Sequence, residues 1–304
     1  MTTRNNQARQ IDPQLDDFTL PPRITEGEST IALQFGSAEA MLEFRCTGNH
    51  GGRILSFSLN GAEILVPENE TGMFGSTFWT SPENWGWPPP LAIDALPYEV
   101  HINRAENTIT LKSAVDAQLG VRVEKRFSVA ENGDAVHVDY TIVNTADSPS
   151  QFAPWEISRV EKGGTTFYRA GDVRPDAANR GHMAIQHQGS LRAYHHPRNL
   201  TSDAKHFDTA GDNWIAHTDG KLLFIKQFDR CTQAAPGESE IEIYACPNYV
   251  EVEQQGTCTE IPPSESLSWR VTWYLMELPH STPANDLQAL TALVEEQLRP
   301  HPLG

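Results

Sequence analysis

Three tryptophans crowd into one segment that has no regular hydrophobic period. Residues 72–90 contain Trp79, Trp85 and Trp87, out of seven tryptophans in the chain, and Glu83 lies between the first two. A flat indole packs well against the apolar face of a pyranose, while a neighbouring carboxylate can bind its hydroxyl groups. We therefore predict that Trp79, Glu83, Trp85 and Trp87 contribute to a sugar-binding surface. The alternative is that these tryptophans close one end of the fold.

Carboxylates that could act as a general base occur in two strand-like segments. Residues 249–253 alternate so that Glu251 and Glu253 share one strand face. Two like charges that lie close together raise the pKa of one of them towards neutrality. Glu156 follows Trp155, and adjacent strand residues point to opposite faces. If Trp155 lies in the core, Glu156 faces the other side, so Glu253, Glu251 and Glu156 are our candidate catalytic residues. The alternative is a solvated outer face for each.

Histidines are the other acid–base candidates, because imidazole titrates near neutral pH. Of eleven in the chain, His195, His196 and His206 fall in a polar segment, 186–212, that we interpret as an excursion from the main fold. We include these three, together with Arg53, among the candidate substrate-binding residues. No HxH or HExxH spacing supports a metal site, and no phosphate-binding or dinucleotide fingerprint is present. We therefore expect neither a metal nor a cofactor.

The charge of the chain restricts its partners. Its 304 residues include 23 Lys and Arg and 40 Asp and Glu, and the formal net charge of −17 disfavours nucleic acids and anionic membranes. No run of about 18 apolar residues and no apolar leader is present. We expect a cytoplasmic protein that binds a small sugar or an oligosaccharide and is a monomer or a homodimer.

Short β-like runs separated by turn signals recur along most of the chain. Asn60-Gly61 and Asn132-Gly133 separate apolar runs, and both residue types tolerate the positive φ of tight hairpins. Helical periodicity occurs only over residues 284–298. The pattern predicts an all-β, antiparallel sandwich with one C-terminal helix. We expect residues 1–25 to form a flexible arm and residues 26–304 to form a single sandwich domain.

Several segments, taken in order, resemble the galactose-mutarotase-like (aldose 1-epimerase) superfamily. Residues 51–65 resemble the opening hairpin of these proteins, and residues 132–144 resemble their central strand pair. Residues 261–267 resemble the turn before their final strands, with Ser264 in place of a glycine. Segments 81–85 and 153–156 look closer to an uncharacterised branch of unknown function. The resemblance covers about residues 28–278.

This resemblance implies a β-supersandwich with a sugar-binding cleft on its concave sheet. Aldose mutarotases use a glutamate as general base on the anomeric hydroxyl and a histidine as general acid on the ring oxygen. By position, Glu253 or Glu251 looks like the base. The segment that carries the catalytic histidine of mutarotases corresponds roughly to Trp155-Glu156 here, so the usual acid is missing at that position. Glu156 or a histidine from residues 182–206 is left to supply the proton.

These observations predict a carbohydrate-active protein. The first hypothesis is a cofactor-independent mutarotase or epimerase that acts at the anomeric carbon of a sugar. The second is a non-catalytic carbohydrate-binding or sensing protein on the same fold, which the missing histidine favours. A lyase or a hydrolase is a third hypothesis, since paired carboxylates can serve either reaction.

Overall fold

Strands dominate the computed structural model, which describes residues 19–173 and 175–299. The elements of the first half are β1 (Thr19–Glu26), β2 (Ile31–Ser37), β3 (Met41–Cys46), β4 (Ile54–Leu59), β5 (Ala62–Glu63), β6 (Ser76–Ser81), α1 (Leu91–Asp94), β7 (Glu99–Asn103), β8 (Thr108–Lys112), β9 (Val121–Val129), β10 (Ala135–Asn144) and β11 (Ser150–Val160). Those of the second half are β12 (Thr165–Ala170), β13 (Ile185–Gln188), β14 (Leu191–His195), β15 (Ala204–Asp208), β16 (Ala210–Thr218), β17 (Leu222–Phe228), β18 (Ile241–Ala245), β19 (Val250–Gln255), β20 (Thr259–Ile261), β21 (Ser266–Glu277) and α2 (Leu287–Gln297).

Antiparallel pairing joins these strands into two sheets. Within the described residues the first sheet has eleven strands, in the order β1-β2-β3-β4-β6-β11-β19-β18-β15, with β5 beside β4 and β20 beside β11. The second sheet has ten described strands, in the order β13-β14-β12-β16-β17-β21-β10-β9-β8-β7. No described helix has the length and the apolar character needed to cross a membrane.

A cluster of aromatic side chains joins the two sheets. Phe44 and Phe57 come from the first sheet, and Phe224 and Trp273 come from the second. The ring centroid of Trp273 lies 5.9, 5.8 and 5.0 Å from those of Phe44, Phe57 and Phe224. Strand β9 alternates buried and partly exposed residues, as a sheet with one buried face requires. The predicted antiparallel sandwich is confirmed.

Turn chemistry explains one predicted hairpin directly. Asn60 and Gly61 have φ values of 51° and 80°, and they connect β4 to β5. A two-residue turn with both φ values positive twists in the same sense as the strands that it joins. The Asn-Gly pair is therefore the cause of this tight connection.

Three predicted features differ from the structure. Residues 1–18 of the predicted arm lie outside the described residues, and from Thr19 the chain forms β1, an edge strand paired with β2. Residues 186–212 are not an excursion, because most of them belong to β13–β16 of the two sheets. The tryptophan segment contains strand β6, and the one-turn helix α1 follows it. The one-domain organisation over residues 26–304 stays a prediction.

The C-terminal helix α2 begins three residues later than the predicted start. The side chain of Asp286 accepts a hydrogen bond of 3.1 Å from the backbone N–H of Ala289. This bond caps the helix, because it satisfies one of the first N–H groups, which lack a partner within the helix. The capping residue therefore sets the first helical residue at Leu287.

Candidate functional site

One face of the first sheet forms the floor of a cleft of about 350 Å³. Alternate residues of neighbouring strands point into it: Trp79 on β6 pairs with Trp155 on β11, and Arg159 on β11 pairs with Glu251 on β19. We call this site the tryptophan cleft. Its other lining residues are Met73, Glu83, Trp87, Arg180, Lys205, Tyr244 and Tyr249.

A larger cavity, of about 600 Å³, lies next to the loop that connects β17 to β18. None of its described lining residues is aromatic, and the side chains of Arg230 and Glu240 there bond to each other at 3.0 Å. Flat apolar surface beside polar groups is what a sugar requires. The tryptophan cleft meets this requirement and the larger cavity does not. We therefore choose the candidate site by the chemistry of its lining residues and not by its volume.

The three predicted tryptophans occupy different positions relative to the cleft. Trp79 is buried in its wall and meets Trp155, Trp87 and Trp85 edge to face, with ring centroids 5.3, 6.2 and 5.7 Å away. Trp87 is 63% exposed at the mouth. Trp85 is buried, does not line the cleft, and donates a 3.1 Å hydrogen bond to the carbonyl of Thr80. Trp79 and Trp87 thus line the cleft, whereas Trp85 packs against Trp79 without lining it; their role in binding a sugar stays a prediction.

Arg53, a predicted binding residue, does not line the cleft. It is buried, and its Nη2 lies 3.1 Å from Oδ1 of Asp94, the last residue of α1. The same carboxylate oxygen accepts 2.8 Å hydrogen bonds from Trp79 Nε1 and Thr77 Oγ1. Although burial opposes the change, the Arg53 charge and these hydrogen bonds hold the pKa of Asp94 below its usual value. Arg53 therefore positions the indole of Trp79 through Asp94.

Glu251 is the carboxylate that the cleft presents. Its side chain is buried but lines the cleft, and Oε1 accepts from Arg159 Nη2 at 2.9 Å. Burial raises the pKa of Glu251 to about 7, although the charge of Arg159 opposes this rise. A carboxylate with a near-neutral pKa can both accept and release a proton under physiological conditions.

Glu253 lies beneath the cleft and is fully buried. Its Oε2 accepts from Trp155 Nε1 at 2.9 Å and lies 3.3 Å from Lys205 Nζ, which is also 2.7 Å from Glu242. Burial favours the neutral amine, but the charges of Glu253 and Glu242 outweigh it and raise the pKa of Lys205 above its usual value. Glu253 therefore does not face the cleft, and its contacts hold Trp155 and the ammonium of Lys205 in place.

The structure places Glu156 on the opposite face of the first sheet. Trp155 points into the cleft, so its neighbour points between the sheets, the reverse of the predicted orientation. Glu156 accepts hydrogen bonds of 2.6 and 3.1 Å from Tyr140 and Trp273. It also lies 2.9 Å from Lys226 Nζ. The prediction of Glu156 as a catalytic residue is wrong for this cleft, because the carboxylate is sealed in the core.

None of the three predicted histidines lines the cleft. His195 is the last residue of β14 in the second sheet, and His196, which follows it, stacks on His217 with ring centroids 5.1 Å apart. His206 does lie on β15 of the first sheet, but it alternates with Lys205 and bonds to Tyr168 at 2.9 Å instead. Among the described residues, no group of three or more His, Cys, Asp or Glu is arranged to hold a metal ion.

The cleft contains cations that sequence reasoning missed. Arg159 could have been found from its spacing, since it lies four residues after Trp155 on the same strand face. Lys205 and Arg180 gave no such signal, because long-range strand pairing brings them to the cleft. Glu83 lines the rim of the cleft, and partial burial raises the pKa of its carboxyl group.

Solved structures of low sequence identity share this architecture. The Slr1438 protein from Synechocystis sp. PCC 6803 is 13% identical, with a TM-score of 0.54 over 90% of this chain and 100% of that one. A galactose mutarotase related enzyme from Lactobacillus acidophilus is 11% identical, with a TM-score of 0.52 over 84% and 97%. A galactose mutarotase-like protein from Clostridium acetobutylicum is 9% identical, with a TM-score of 0.52 over 86% and 99%. The chain thus has a galactose mutarotase-like fold, as its sequence predicted.

Comparisons at the level of sequence gave no relatives. No family model matches the chain, and no curated protein matches it. Identities of 9–13% support the fold alone. The reaction or ligand of this protein depends on the side chains in its own cleft.

Proposed function

We propose that the protein binds a sugar in the tryptophan cleft and interconverts its anomers without a cofactor. One observation carries the proposal: Glu251, whose pKa is raised by burial to about 7, lines the same cleft as Trp79, Trp87 and Trp155. The indoles supply flat apolar surface for a pyranose, and the carboxylate supplies a proton acceptor. The likeness of the fold to mutarotase-related proteins supports the same conclusion.

The spacing of Glu251 and Lys205 suits a ring held between them. Glu251 pairs with Tyr244, and Tyr244 pairs with Lys205, so the two residues stand in one row across three strands. Neighbouring strands lie about 4.8 Å apart, which puts the two Cα atoms roughly 10 Å from each other. Tyr244 stands between the two residues in this row and also lines the cleft, so a pyranose that contacts both of them lies over the Tyr244 side chain.

In the proposed reaction Glu251 takes the proton of the anomeric hydroxyl. The C1–O1 bond becomes a carbonyl as the bond between C1 and the ring oxygen breaks, and that oxygen receives the electron pair. The ammonium of Lys205 donates a hydrogen bond to the developing alkoxide and stabilises its charge. Rotation about the C1–C2 bond and ring closure on the other carbonyl face give the second anomer, and Glu251 returns its proton. Lys205 thus acts at the ring oxygen, where the resemblance placed a histidine, but as a hydrogen-bond donor that keeps its proton.

Saturation-transfer NMR on common aldoses, acid sugars and oligosaccharides tests this proposal. We expect the protein to accelerate anomer exchange of at least one sugar over buffer. Trp87→Ala should raise KM by about tenfold, roughly the 1.4 kcal/mol of a lost stacking contact, and leave the free energy of unfolding unchanged because Trp87 is exposed. Val115→Ala, an exposed apolar control outside the cleft, should change neither. Sugar binding without acceleration would support the non-catalytic hypothesis instead.

The pH dependence of exchange should report Glu251. Because only the ionised carboxylate accepts a proton, we expect kcat/KM to rise as pH increases through about 7 and then to level off. The raised pKa of Lys205 keeps its ammonium charged throughout this range, so no decline is expected up to about pH 9. Polarimetry between pH 5 and 9, corrected for the uncatalysed rate, measures the profile. A rate that stays flat from pH 5 to 9 would contradict a general base whose pKa is raised to about 7.

A further inference from the structure

We propose that Lys125 is a positioning residue for the tryptophan cleft, whose charged ammonium holds Trp79 in place through the Gly51-Gly52 turn and α1. This inference rests on the proposed function, because Trp79 belongs to the wall of the cleft that binds the sugar in our proposal. Lys125 does not itself line the cleft. Strand β9 alternates buried and partly exposed residues, and Lys125 occupies one of the buried positions in the core.

The ammonium of Lys125 bonds to one turn of the main chain. Its Nζ donates to the carbonyls of Gly51 and Gly52 at 2.7 and 3.0 Å. A buried lysine needs acceptors for its donors, and hydrogen bonds from a charged donor are roughly twice as strong as those between neutral groups. The turn lies between β3 and β4, so Lys125 ties the second sheet to the first at this point.

The turn that Lys125 holds packs directly against α1. The N–H of Gly51 donates to the carbonyl of Leu96, two residues after the helix ends, at 3.1 Å. Gly51 has a φ of 71°, and a Cβ atom on it would lie 2.4 Å from the backbone of Asp94, so only a glycine allows this close approach. Gly51 therefore contacts the residue whose carboxylate bonds to Trp79.

A second connection from Lys125 to α1 runs through Tyr98. Lys125 Nζ lies 5.1 Å from the centroid of the Tyr98 ring, within the range of a cation–π contact. The hydroxyl of Tyr98 donates to the carbonyl of Ile93, a residue of α1, at 2.8 Å. Both connections from the ammonium thus end on the backbone of the same short helix.

Helix α1 depends on these contacts for its position. It has four residues, and its N-cap residue Pro90 makes no side-chain capping bond. Nucleation of a single helical turn is unfavourable, because several backbone dihedrals are fixed for one hydrogen bond. Asp94 at the end of α1 accepts a 2.8 Å hydrogen bond from Trp79 Nε1. Displacement of α1 therefore displaces the indole in the wall of the cleft.

The charge of Lys125 changes near neutral pH. Burial lowers its pKa to about 7, although the charge of Asp94 opposes this change. Burial also raises the pKa of Cys46 to about 12, so this neighbouring thiol is not a counter-ion at neutral pH. Above pH 7 the neutral amine still donates to the two carbonyls, but its hydrogen bonds are weaker without the charge. The groups that face the ammonium are Asp94, Arg53, Cys46, Glu156 and Tyr98.

Hydrogen exchange at the indole N–H of Trp79 tests this inference without any sugar. ¹H–¹⁵N NMR follows the signal, which Trp79→Phe identifies by its loss, and the intrinsic rate at each pH converts the measured rate into a protection factor. We expect this factor to fall roughly fivefold between pH 6 and pH 8.5, as charge-assisted hydrogen bonds become neutral ones. In Lys125→Met it should be low at both pH values. Lys112→Met, which removes a partly exposed lysine on the neighbouring strand β8, should behave as the unmodified protein.

Two further variants separate this role from other causes. Lys125→Arg keeps its positive charge at both pH values, so the protection of Trp79 should stay high and no longer depend on pH. This variant also tests the inference if Lys125→Met does not fold. Glu251→Gln removes the residue of the cleft whose pKa is raised by burial to about 7, and the fivefold change should persist in it.

The outcomes separate this inference from the function on which it rests. Protection that is constant between pH 6 and pH 8.5 in the unmodified protein, or that falls equally in Lys125→Met, overturns the inference. A change that Glu251→Gln abolishes also overturns it. If the protein accelerates anomer exchange while the protection of Trp79 does not follow Lys125, only the inference is wrong. If Trp79 responds as expected but no sugar binds, the proposed function is wrong and the positioning role of Lys125 stands.

Discussion

Glu251→Gln is expected to reduce kcat for anomer exchange by roughly 10²–10⁴-fold, the usual contribution of a positioned general base. The amide has the shape of the carboxylate and can still accept the hydrogen bond from Arg159, but it cannot take a proton. The rate constant is measured by saturation-transfer NMR with the best sugar found for the unmodified protein. The free energy of unfolding, measured in urea, shows how much of any loss comes from the buried Arg159.

A matched control separates catalysis from charge. Glu43→Gln removes a carboxylate that pairs with Arg45 on the same sheet but outside the cleft, and it should leave kcat unchanged. Glu253→Gln is informative in a different way, because this residue bonds to Trp155 and Lys205 without lining the cleft. If Glu251→Gln retained full activity while Glu253→Gln lost it, the proton acceptor would be Glu253 and our assignment would be incorrect.

Lys226→Met is expected to destabilise the protein by about 3–5 kcal/mol, the cost of leaving a buried charge without its partner. Lys226 Nζ lies 2.9 Å from Glu156 Oε1 and donates to Ser158 Oγ and the carbonyl of Val252 at 2.9 and 3.0 Å. Both members of the ion pair are buried between the sheets, and burial lowers the pKa of Lys226 although Glu156 opposes this. Urea unfolding measures the change.

A double variant tests whether charge compensation is the cause. In Lys226→Met with Glu156→Gln, no charge is left unpaired at this position, and the amide can still accept from Tyr140. The double variant should be more stable than Lys226→Met alone, so its loss of unfolding free energy should be much smaller than the sum of the losses in the two single variants. Additive losses from the two substitutions would show that the pair is not coupled. Glu156→Gln alone should also preserve the chemistry of the cleft, because the carboxylate lies on the other face of the sheet.

Much of the fold follows from local patterns. Asn60-Gly61 specifies a hairpin because both residues adopt positive φ, and alternation over residues 249–253 correctly predicts that Tyr249 and Glu251 share a face. Alternation does not predict that Glu253 is fully buried. Trp155 and Lys205 cover its side chain, and because they lie on other strands they contact it only after the sheet has formed.

The error at Trp155 and Glu156 has a physical cause. Alternation predicts that the two side chains point to opposite faces, which is correct, but it does not say which face is the interior. Hydrophobicity favours the indole as the core residue. Here the indole of Trp155 lies in the cleft and the carboxylate of Glu156 lies in the core. The carboxylate can be buried because Lys226, Tyr140 and Trp273 bind it. These three partners are distant in sequence, so no local signal identifies them.

Strand β11 has a consequence for how this protein can diverge. Its odd-numbered residues 155 and 159 line the tryptophan cleft, whereas Glu156 and Ser158 take part in the polar network between the sheets. Substitutions at the odd positions can therefore change ligand preference while the interior is preserved. A one-residue insertion or deletion would exchange the two sets at once, so descendants of this gene should vary along the strand by replacement and change length only in the flanking loops.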